Sequence, residues 1–240
     1  MRALFSMLSV LTLILAAVIG PTGANAAESV LVFGGSGQLG SEVAKAVAAK
    51  GHTVTVFVRP TSKLDLLQGV KFEKIEGDVM KAADVAATLN KGKFTVVVDA
   101  LANDRGGPPD FYETSEKNIA KAVKAAGVKQ LILHSSVGAN DSRAVYPKER
   151  LAEMVAVLDS KALGEKAAMA SGVTYTIIRN ASLGDPPAGG EKAKLYDDQT
   201  KFGAVSRNGL GRLTADCVAN PACNNKIYHA VDDTMPVRTR

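Results

Sequence analysis

Apolar and polar residues follow one another along the chain in a pattern that predicts strands and helices in turn. Short runs rich in apolar and β-branched residues predict strands over residues 29–33, 53–58, 70–75, 95–100, 130–134 and 174–179. Between them, apolar residues at helical spacing predict helices over residues 38–50, 63–67, 84–89, 113–126 and 148–170. Strands that alternate with helices form a parallel sheet covered on both faces, so we expect an α/β fold with a doubly wound parallel sheet.

The pattern loosens in the last quarter of the chain. Residues 184–190 are rich in glycine and proline, which favours a small C-terminal excursion on the substrate side of the sheet over a second domain. A short strand over residues 227–230 is expected to return to the sheet edge. With 240 residues and 46% hydrophobic content, one core is enough, so we expect a single domain over residues 27–240.

The first residues are typical of an export signal. Arg2 precedes an apolar run over residues 4–19, and residues 24–26 have the small-x-small form of a signal-peptidase site. We therefore predict a signal peptide over residues 1–26 and an exported protein, periplasmic or secreted, that begins at Ala27. The alternative is an uncleaved membrane anchor, but the apolar run is short against the roughly 20 residues that span a bilayer.

Composition narrows the kinds of partner. The net charge of +5 is modest, the lysines are scattered and tryptophan is absent, so a nucleic-acid surface is not expected. Cys217 and Cys223 are spaced for a small-loop disulfide in an oxidising compartment, or are two separate core thiols in the cytosol, and both possibilities stay open. The three histidines share no close ligand spacing with either cysteine, so no metal site is expected.

A glycine-rich stretch follows the first predicted strand and opens the first predicted helix. It consists of Gly34, Gly35, Ser36, Gly37, Gln38, Leu39 and Gly40. Free amides and the helix dipole at such a turn can hold a pyrophosphate, so the stretch predicts the dinucleotide-binding turn of a Rossmann domain. The alternative is a tight strand-to-helix turn that binds no ligand.

The end of the second predicted strand indicates which dinucleotide binds. NAD-binding proteins carry Asp or Glu there, whereas this chain has Arg59, followed by Ser62 and Lys63. An arginine attracts a 2′-phosphate, so we predict NADP(H), unless Arg59 is only a solvated surface charge. Asp78 and Val79 follow the third strand, where Asp78 is expected to contact the adenine amine or, alternatively, to cap the next helix.

With these residues, the chain from Val30 to about Ala230 resembles the atypical short-chain dehydrogenase/reductases, the NAD(P)H-binding, NmrA-like proteins that include flavin and biliverdin-IXβ reductases. The matching stretches are residues 34–40, 58–60, 77–79, 126–129, 134–139 and 171–179. The resemblance implies that Ala100 and Leu101 pass the nicotinamide-side ribose and that Asn180 lines the nicotinamide pocket.

The wider superfamily uses a Ser, a Tyr and a Lys four residues after that Tyr. The resemblance places the Ser at Ser136, with Ser135 as the alternative catalytic serine, and the Lys at Lys161, but Val157 stands at the Tyr position. In that arrangement Ser136 bonds near the nicotinamide and Lys161 orients the ribose; the alternatives are a turn cap and a solvated lysine. His134 at the same strand end is either an acid or a packed core residue.

The missing Tyr weakens the case for alcohol or ketone dehydrogenation, but flavin-reductase-like relatives also lack it. We therefore expect an NADPH-dependent oxidoreductase that transfers hydride to a flavin-like, quinone-like or other conjugated small-molecule acceptor. The alternative is a non-catalytic NAD(P)-binding sensor or assembly factor. A sugar-nucleotide epimerase is less favoured, because the chain lacks the Tyr and the extended C-terminal domain.

Overall fold

A central sheet flanked by helices forms the molecule. The computed structural model describes residues 26–103, 106–184 and 192–237. The strands are β1 (Ser29–Phe33), β2 (Thr53–Val58), β3 (Glu73–Glu76), β4 (Val96–Asp99), β5 (Gln130–Ser136), β6 (Thr174–Asn180), β7 (Ser182–Gly184), β8 (Lys194–Tyr196), β9 (Ala204–Ser206) and β10 (Lys226–Val231). The α-helices are α1 (Gln38–Ala49), α2 (Ala82–Lys91), α3 (Phe111–Ala125), α4 (Lys148–Ala170) and α5 (Arg207–Cys217). Short 3-10 turns lie at Asp65–Leu67, Asn140–Val145 and Pro221–Cys223.

The order of the strands confirms the predicted doubly wound fold. The main sheet runs β3-β2-β1-β4-β5-β6-β10-β8, and β7 pairs with β9 in a small separate sheet. The main-sheet pairs are parallel except that β8 runs antiparallel to β10. The order reverses between β1 and β4, and ligands of open α/β sheets bind at such a switch point, outside the carboxyl ends of the strands.

Side chains from successive residues of the central strands enter two separate cores. In β1, Val30 and Val32 pack in the core that includes residues of α1 and α5, while Leu31 and Phe33 pack in the core that includes residues of α2 and α3. All four are fully buried. This two-sided burial explains why the central strands are almost continuously apolar.

The last quarter of the chain contains more regular structure than its sequence predicts. Helix α5 was not expected, and β10 lies between β6 and β8 instead of at the sheet edge. The two glycines within α5 conceal its helical pattern, and Gly211 has a packing role. A Cβ at Gly211 would lie 2.6 Å from the carbonyl oxygen of Glu42, so glycine lets α5 pack closely on α1.

Some element boundaries also differ from the prediction. Strand β3 begins at Glu73 and not at residue 70, because Gly69, with φ of +79°, turns the chain just before it. The helix expected over residues 63–67 is only the 3-10 turn Asp65–Leu67. Strand β5 continues to Ser136, so the two serines expected after the strand belong to it.

A disulfide joins Cys217 and Cys223, which resolves the question that their spacing left open. It links the end of α5 to the turn that precedes β10. The predicted signal peptide lies almost entirely outside the described residues. Among the helices of the described ranges, none combines the length and the hydropathy needed to cross a bilayer.

Candidate cofactor and active site

A cleft of about 800 Å³ opens at the carboxyl ends of the central strands. This volume is in the usual range for small-molecule and cofactor sites. Many residues that the sequence singles out line this one cleft: Gly34, Ser36, Gly37, Gln38, Leu39, Arg59, Asp78, Val79, Ala100, Leu101, Lys161 and Asn180. The fold therefore brings three predicted features to one site: the glycine turn for the pyrophosphate, Arg59 for the 2′-phosphate, and Lys161 for the ribose.

The glycine turn requires glycine for steric reasons. Gly34 has φ of +74°, and a Cβ there would lie 2.7 Å from the carbonyl oxygen of Ala100. A Cβ at Gly40 would lie 2.1 Å from the carbonyl oxygen of Gly34. Gly35 packs against Val56 in the same way and, like Gly40, supports the turn without lining the cleft.

The amides at the start of α1 are available to a ligand. Gly37 is the N-cap of α1, no side chain bonds to the cap, and the first turn carries no acidic residue. Helix N-termini leave their first amides without helical partners, and the helix dipole favours an anion there. The turn therefore has the geometry and the polarity of a pyrophosphate site.

Arg59 lies at the end of the cleft that is expected to take the adenosine. It follows β2 directly, is exposed, and lines the cleft together with Pro60, Thr61 and Ser62. Lys63, which the sequence placed beside it, is not among the lining residues. A guanidinium at this strand end is suited to a phosphate on the ribose 2′-oxygen, because it can form paired charge-assisted hydrogen bonds.

Asp78 shapes the loop after β3. Its Oδ1 accepts a hydrogen bond of 3.0 Å from the Met80 amide, and its own amide donates one of 2.9 Å to Oδ2 of Asp84. The N-cap of α2 is Lys81, so the alternative in which Asp78 caps that helix is wrong. Asp78 lines the cleft, as the adenine-contact hypothesis requires.

Lys161 on α4 reaches the opposite end of the cleft. Its Nζ donates a hydrogen bond of 3.2 Å to the carbonyl oxygen of His134 and lies 4.0 Å from the ring centroid of Tyr112. The Leu101 amide donates a bond of 2.7 Å to Oδ1 of Asp99, which fixes the end of β4 beside it. The contacts with His134 and Tyr112 hold Lys161 in place at the end of the cleft expected to take the nicotinamide.

Ser135 and Ser136 are not among the residues that line the cleft. The Ser136 hydroxyl donates a hydrogen bond of 3.2 Å to the carbonyl oxygen of Asn180, so it links β5 to β6. The Ser135 hydroxyl is buried and has no hydrogen-bond partner in the described part of the chain. Neither serine is therefore placed against the expected nicotinamide position, and their catalytic role stays a prediction.

His134 lines the cleft as a neutral side chain. Burial, and then the charge of Lys161, lower its pKa to about 3. The Thr214 hydroxyl lies 2.6 Å from the Leu210 carbonyl oxygen, and only the threonine can supply the proton between them. His134 Nε2, 2.9 Å from that hydroxyl, must then be the donor, so Nδ1 is an unprotonated acceptor. The ring therefore cannot serve as the acid that its position suggested.

A pair of buried carboxyl groups lies behind this end of the cleft. Neither carboxylate oxygen of Glu116 meets a donor within the described residues, and the carboxyl group beside it is Asp99. Burial, reinforced by Asp99, raises the pKa of Glu116 well above its usual 4.5, while Lys161 opposes the shift. A proton on Glu116 would let it donate to Asp99, which accounts for both observations.

Several lining residues were missed from the sequence. They come from the loop and helix after β4, from the loop after β3 and from the start of α5: Asn103, Gly107, Pro108, Phe111, Tyr112, Met80, Lys81 and Arg207. The spacing of apolar residues does not distinguish Phe111 and Tyr112 from other residues near the start of a helix. Arg207 was missed because α5 was not predicted at all. A stretch of glycine and proline between β4 and α3, typical of a binding loop, is the one feature that could have indicated them.

The charged side chains that line the cleft are mostly basic: Arg59, Lys81, Lys161 and Arg207, against Asp78. Such a balance favours an anionic ligand. Across the three described ranges, the acidic, histidine and cysteine side chains form no group of three that could hold a metal ion.

Comparison with known proteins agrees with this geometry. The model of a family described as NAD(P)H-binding matches residues 34–221. The chain is 28% identical over 193 residues to the photosystem II assembly factor Ycf39 of Synechocystis, covering 79% of this chain and 56% of that protein. It is 27% identical to a phenylcoumaran benzylic ether reductase of Ginkgo biloba, covering 83% and 68%.

Solved structures share the fold. ChuY of Escherichia coli O157:H7, described as an anaerobillin reductase, superposes with a TM-score of 0.76 at 21% identity and covers 88% of this chain and all of that one. The chain spans about half the length of the first curated relatives it matches. From the matched family model and the glycine turn, the chain belongs to the NAD(P)H-binding family, as an NmrA-like member of the atypical short-chain dehydrogenase/reductases.

Proposed function

We propose that the protein is an NADPH-dependent reductase that transfers hydride to a small conjugated acceptor of the flavin or quinone type. The observation that carries the proposal is one continuous cleft with Arg59 at one end, the glycine turn in the middle and Lys161 at the other end. That arrangement fits an extended dinucleotide whose reactive ring lies beside Lys161.

The chain's own residues account for each part of the cofactor. The amides at the start of α1 bind the pyrophosphate, and Arg59 binds the 2′-phosphate. Lys161, held by the His134 carbonyl oxygen, orients the nicotinamide-side ribose. NADPH, when bound, supplies the hydride; the protein positions it and provides the acceptor wall formed by Asn180 and Leu183.

The acceptor class follows from the weak acid chemistry at this end of the cleft. Val157 replaces the usual tyrosine, and His134 is neutral with its proton directed at Thr214. A conjugated acceptor suits such a site, because it can take hydride while its proton comes from solvent or from a modest donor. Two proteins similar to this chain, from Ginkgo biloba and Escherichia coli, are named as reductases, which supports the same class of chemistry.

A second candidate function is a non-catalytic NAD(P)-binding assembly factor or sensor. Val157 favours it, and so does the similarity to Ycf39, which is named as an assembly factor. In this alternative the cofactor is a structural or regulatory ligand, and the cleft binds it without turnover.

Turnover separates the two candidates. The purified protein is titrated with NADPH and with NADH, and NADPH oxidation is then followed with FMN and with a naphthoquinone. The reductase proposal expects binding that favours NADPH and saturable oxidation with at least one acceptor. Tight binding with no oxidation on either acceptor would contradict it and favour the assembly-factor alternative.

We also propose that the protein is exported and works in an oxidising compartment. The disulfide between Cys217 and Cys223 supports this, since such bonds persist mainly outside the cytosol. N-terminal sequencing of the protein from the periplasmic or secreted fraction should begin near Ala27. A protein that retains Met1 would contradict cleavage.

A further inference from the structure

The side chain of Tyr112 occupies the end of the cleft where the usual tyrosine is missing. Tyr112 lies in the first turn of α3 and lines the cleft together with Lys161. The Lys161 Nζ lies 4.0 Å from its ring centroid. The position four residues before Lys161 on α4 is Val157, so the phenol beside the lysine comes from the neighbouring helix.

Close packing of the two helices makes this possible. Gly164, on the turn of α4 after Lys161, faces the first turn of α3. A Cβ there would lie 3.1 Å from the carbonyl oxygen of Tyr112 and 3.3 Å from Cβ of Glu116. Glycine therefore lets α4 approach α3 closely enough for Lys161 to reach over the Tyr112 ring.

The hydrogen bonds of Tyr112 leave its proton available. The Asn103 amide donates a bond of 3.0 Å to the phenolic oxygen. In the described part of the chain the phenolic proton has no acceptor of its own. The amide bond and the Lys161 ammonium over the ring hold the phenol in place within the cleft. The residue is thus arranged to give up a proton into the cleft.

We propose that Tyr112 is the proton donor of the reaction, a catalytic residue moved from α4 to α3. This rests on the proposed reductase function. Hydride leaves a C–H bond of NADPH, which becomes NADP+, and forms an O–H bond at one carbonyl oxygen of a quinone, while the other carbonyl oxygen takes the Tyr112 proton to complete the hydroquinone. In the proton transfer one phenolic O–H bond breaks and the second acceptor O–H bond forms, and the phenolate beside Lys161 regains its proton from water.

The choice of acceptor tests this role. Reduction of a naphthoquinone to the hydroquinone needs a proton on oxygen, whereas hydride transfer to FMN yields a reduced flavin anion that needs no proton from the protein. Tyr112→Phe should lower quinone turnover by about 100-fold, as expected for loss of a general acid. FMN turnover and the Kd for NADPH should change little. The solvent isotope effect on quinone reduction should be present in the wild type and lost in the variant.

A matched control removes the same hydroxyl elsewhere. Tyr146 is buried against Phe202 and is not among the lining residues, so Tyr146→Phe should leave both rates unchanged. Equal losses on quinone and FMN, or no loss on quinone, in Tyr112→Phe would overturn the role of Tyr112. Absence of any turnover by the wild-type protein that still binds NADPH would instead contradict the proposed function, and the role of Tyr112 with it.

Discussion

Arg59 is the residue on which the proposed preference for NADPH over NADH depends. It replaces the acidic residue that would bind the 2′-hydroxyl of NAD and repel a 2′-phosphate, and it lines the cleft at the end of β2. The proposed cofactor preference therefore depends on a residue at the end of β2. It is independent of the hydride-transfer chemistry at the other end of the cleft.

Replacing Arg59 by alanine should reduce the preference for NADPH. A hydrogen bond to a charged group contributes about 1.5–3 kcal/mol, which corresponds to roughly a 10- to 100-fold weaker affinity for NADPH. The affinity for NADH should change little, because it lacks the phosphate. Lys63→Ala is the matched control, since Lys63 is exposed and is not among the lining residues. Titration of both cofactors measures the effect, and an unchanged ratio of affinities would contradict it.

Glu116 gives stability a pH dependence of known sign. Its pKa in the folded protein is raised, so above the usual 4.5 the native state keeps a proton that the unfolded chain releases. The contribution of Glu116 to the free energy of unfolding is therefore fully present below about pH 4.5 and is lost as the pH rises toward the raised pKa. Glu116→Gln keeps the group neutral and should remove this loss.

Thermal unfolding of wild type and Glu116→Gln across this pH range tests the sign. The variant should gain stability relative to wild type as the pH increases. Glu153→Gln, on the exposed face of α4, removes a carboxylate without changing the buried pair and serves as the control. A difference between wild type and Glu116→Gln that is constant with pH would show that Glu116 titrates normally.

At the level of elements, one buried ion pair joins α4 to β6 beneath the acceptor wall. Arg179 on β6 donates bonds of 2.9 and 2.8 Å to the two carboxylate oxygens of Glu165, and both side chains are almost fully buried. Arg179 also contacts Asp141 at 2.7 Å and Gln199 at 3.0 Å. The network therefore fixes the end of β6 from which Asn180 enters the cleft.

Removing one partner of this pair should be costly. Arg179→Met leaves the Glu165 carboxylate buried without its partner, and such losses amount to about 3–5 kcal/mol of unfolding free energy. The double variant Arg179→Met, Glu165→Leu should recover most of that stability, because no buried charge remains. Urea unfolding of the two variants decides the matter; equal destabilisation would mean that the charge pairing is not what stabilises this region.

The elements also show how much of the fold the sequence could predict. Strands β1, β2 and β4 were predicted almost to the residue, because burial on both faces makes them rich in apolar and β-branched residues. Helix α5 was not, because its two glycines hide the helical pattern, and one of them, Gly211, serves close packing on α1. The antiparallel edge strand β8 is three residues long, which is too short to show an alternation of apolar and polar residues.

Some residues of the candidate site could likewise be predicted from the sequence, and others could not. The glycine turn and Arg59 were found because each depends on local chemistry at a strand end, whereas Lys161 was found through the resemblance to the short-chain dehydrogenase/reductases. Tyr112 could not be found from spacing, since its contact with Lys161 arises from the packing of α3 on α4. Ser135 and Ser136 were expected after β5. The pairing of β5 with β6 extends as far as Ser136, so both serines belong to the strand.

At the level of the whole molecule, the fold and the family establish cofactor binding more firmly than its use. The matched family model covers the glycine turn and the cleft, whereas relatives of this chain are named both as reductases and as an assembly factor. The basic lining of the cleft fits an anionic cofactor in either case. Whether bound NADPH reacts is therefore the central question for this protein.

A single-turnover experiment tests that question most directly. The preformed complex with NADPH is mixed rapidly with excess naphthoquinone or FMN, and the absorbance of the reduced nicotinamide is followed. We predict that each bound NADPH is oxidised once, with one acceptor reduced per NADP+ formed and a rate that saturates with acceptor concentration. A complex that forms fully and leaves its NADPH unoxidised with both acceptors would contradict it.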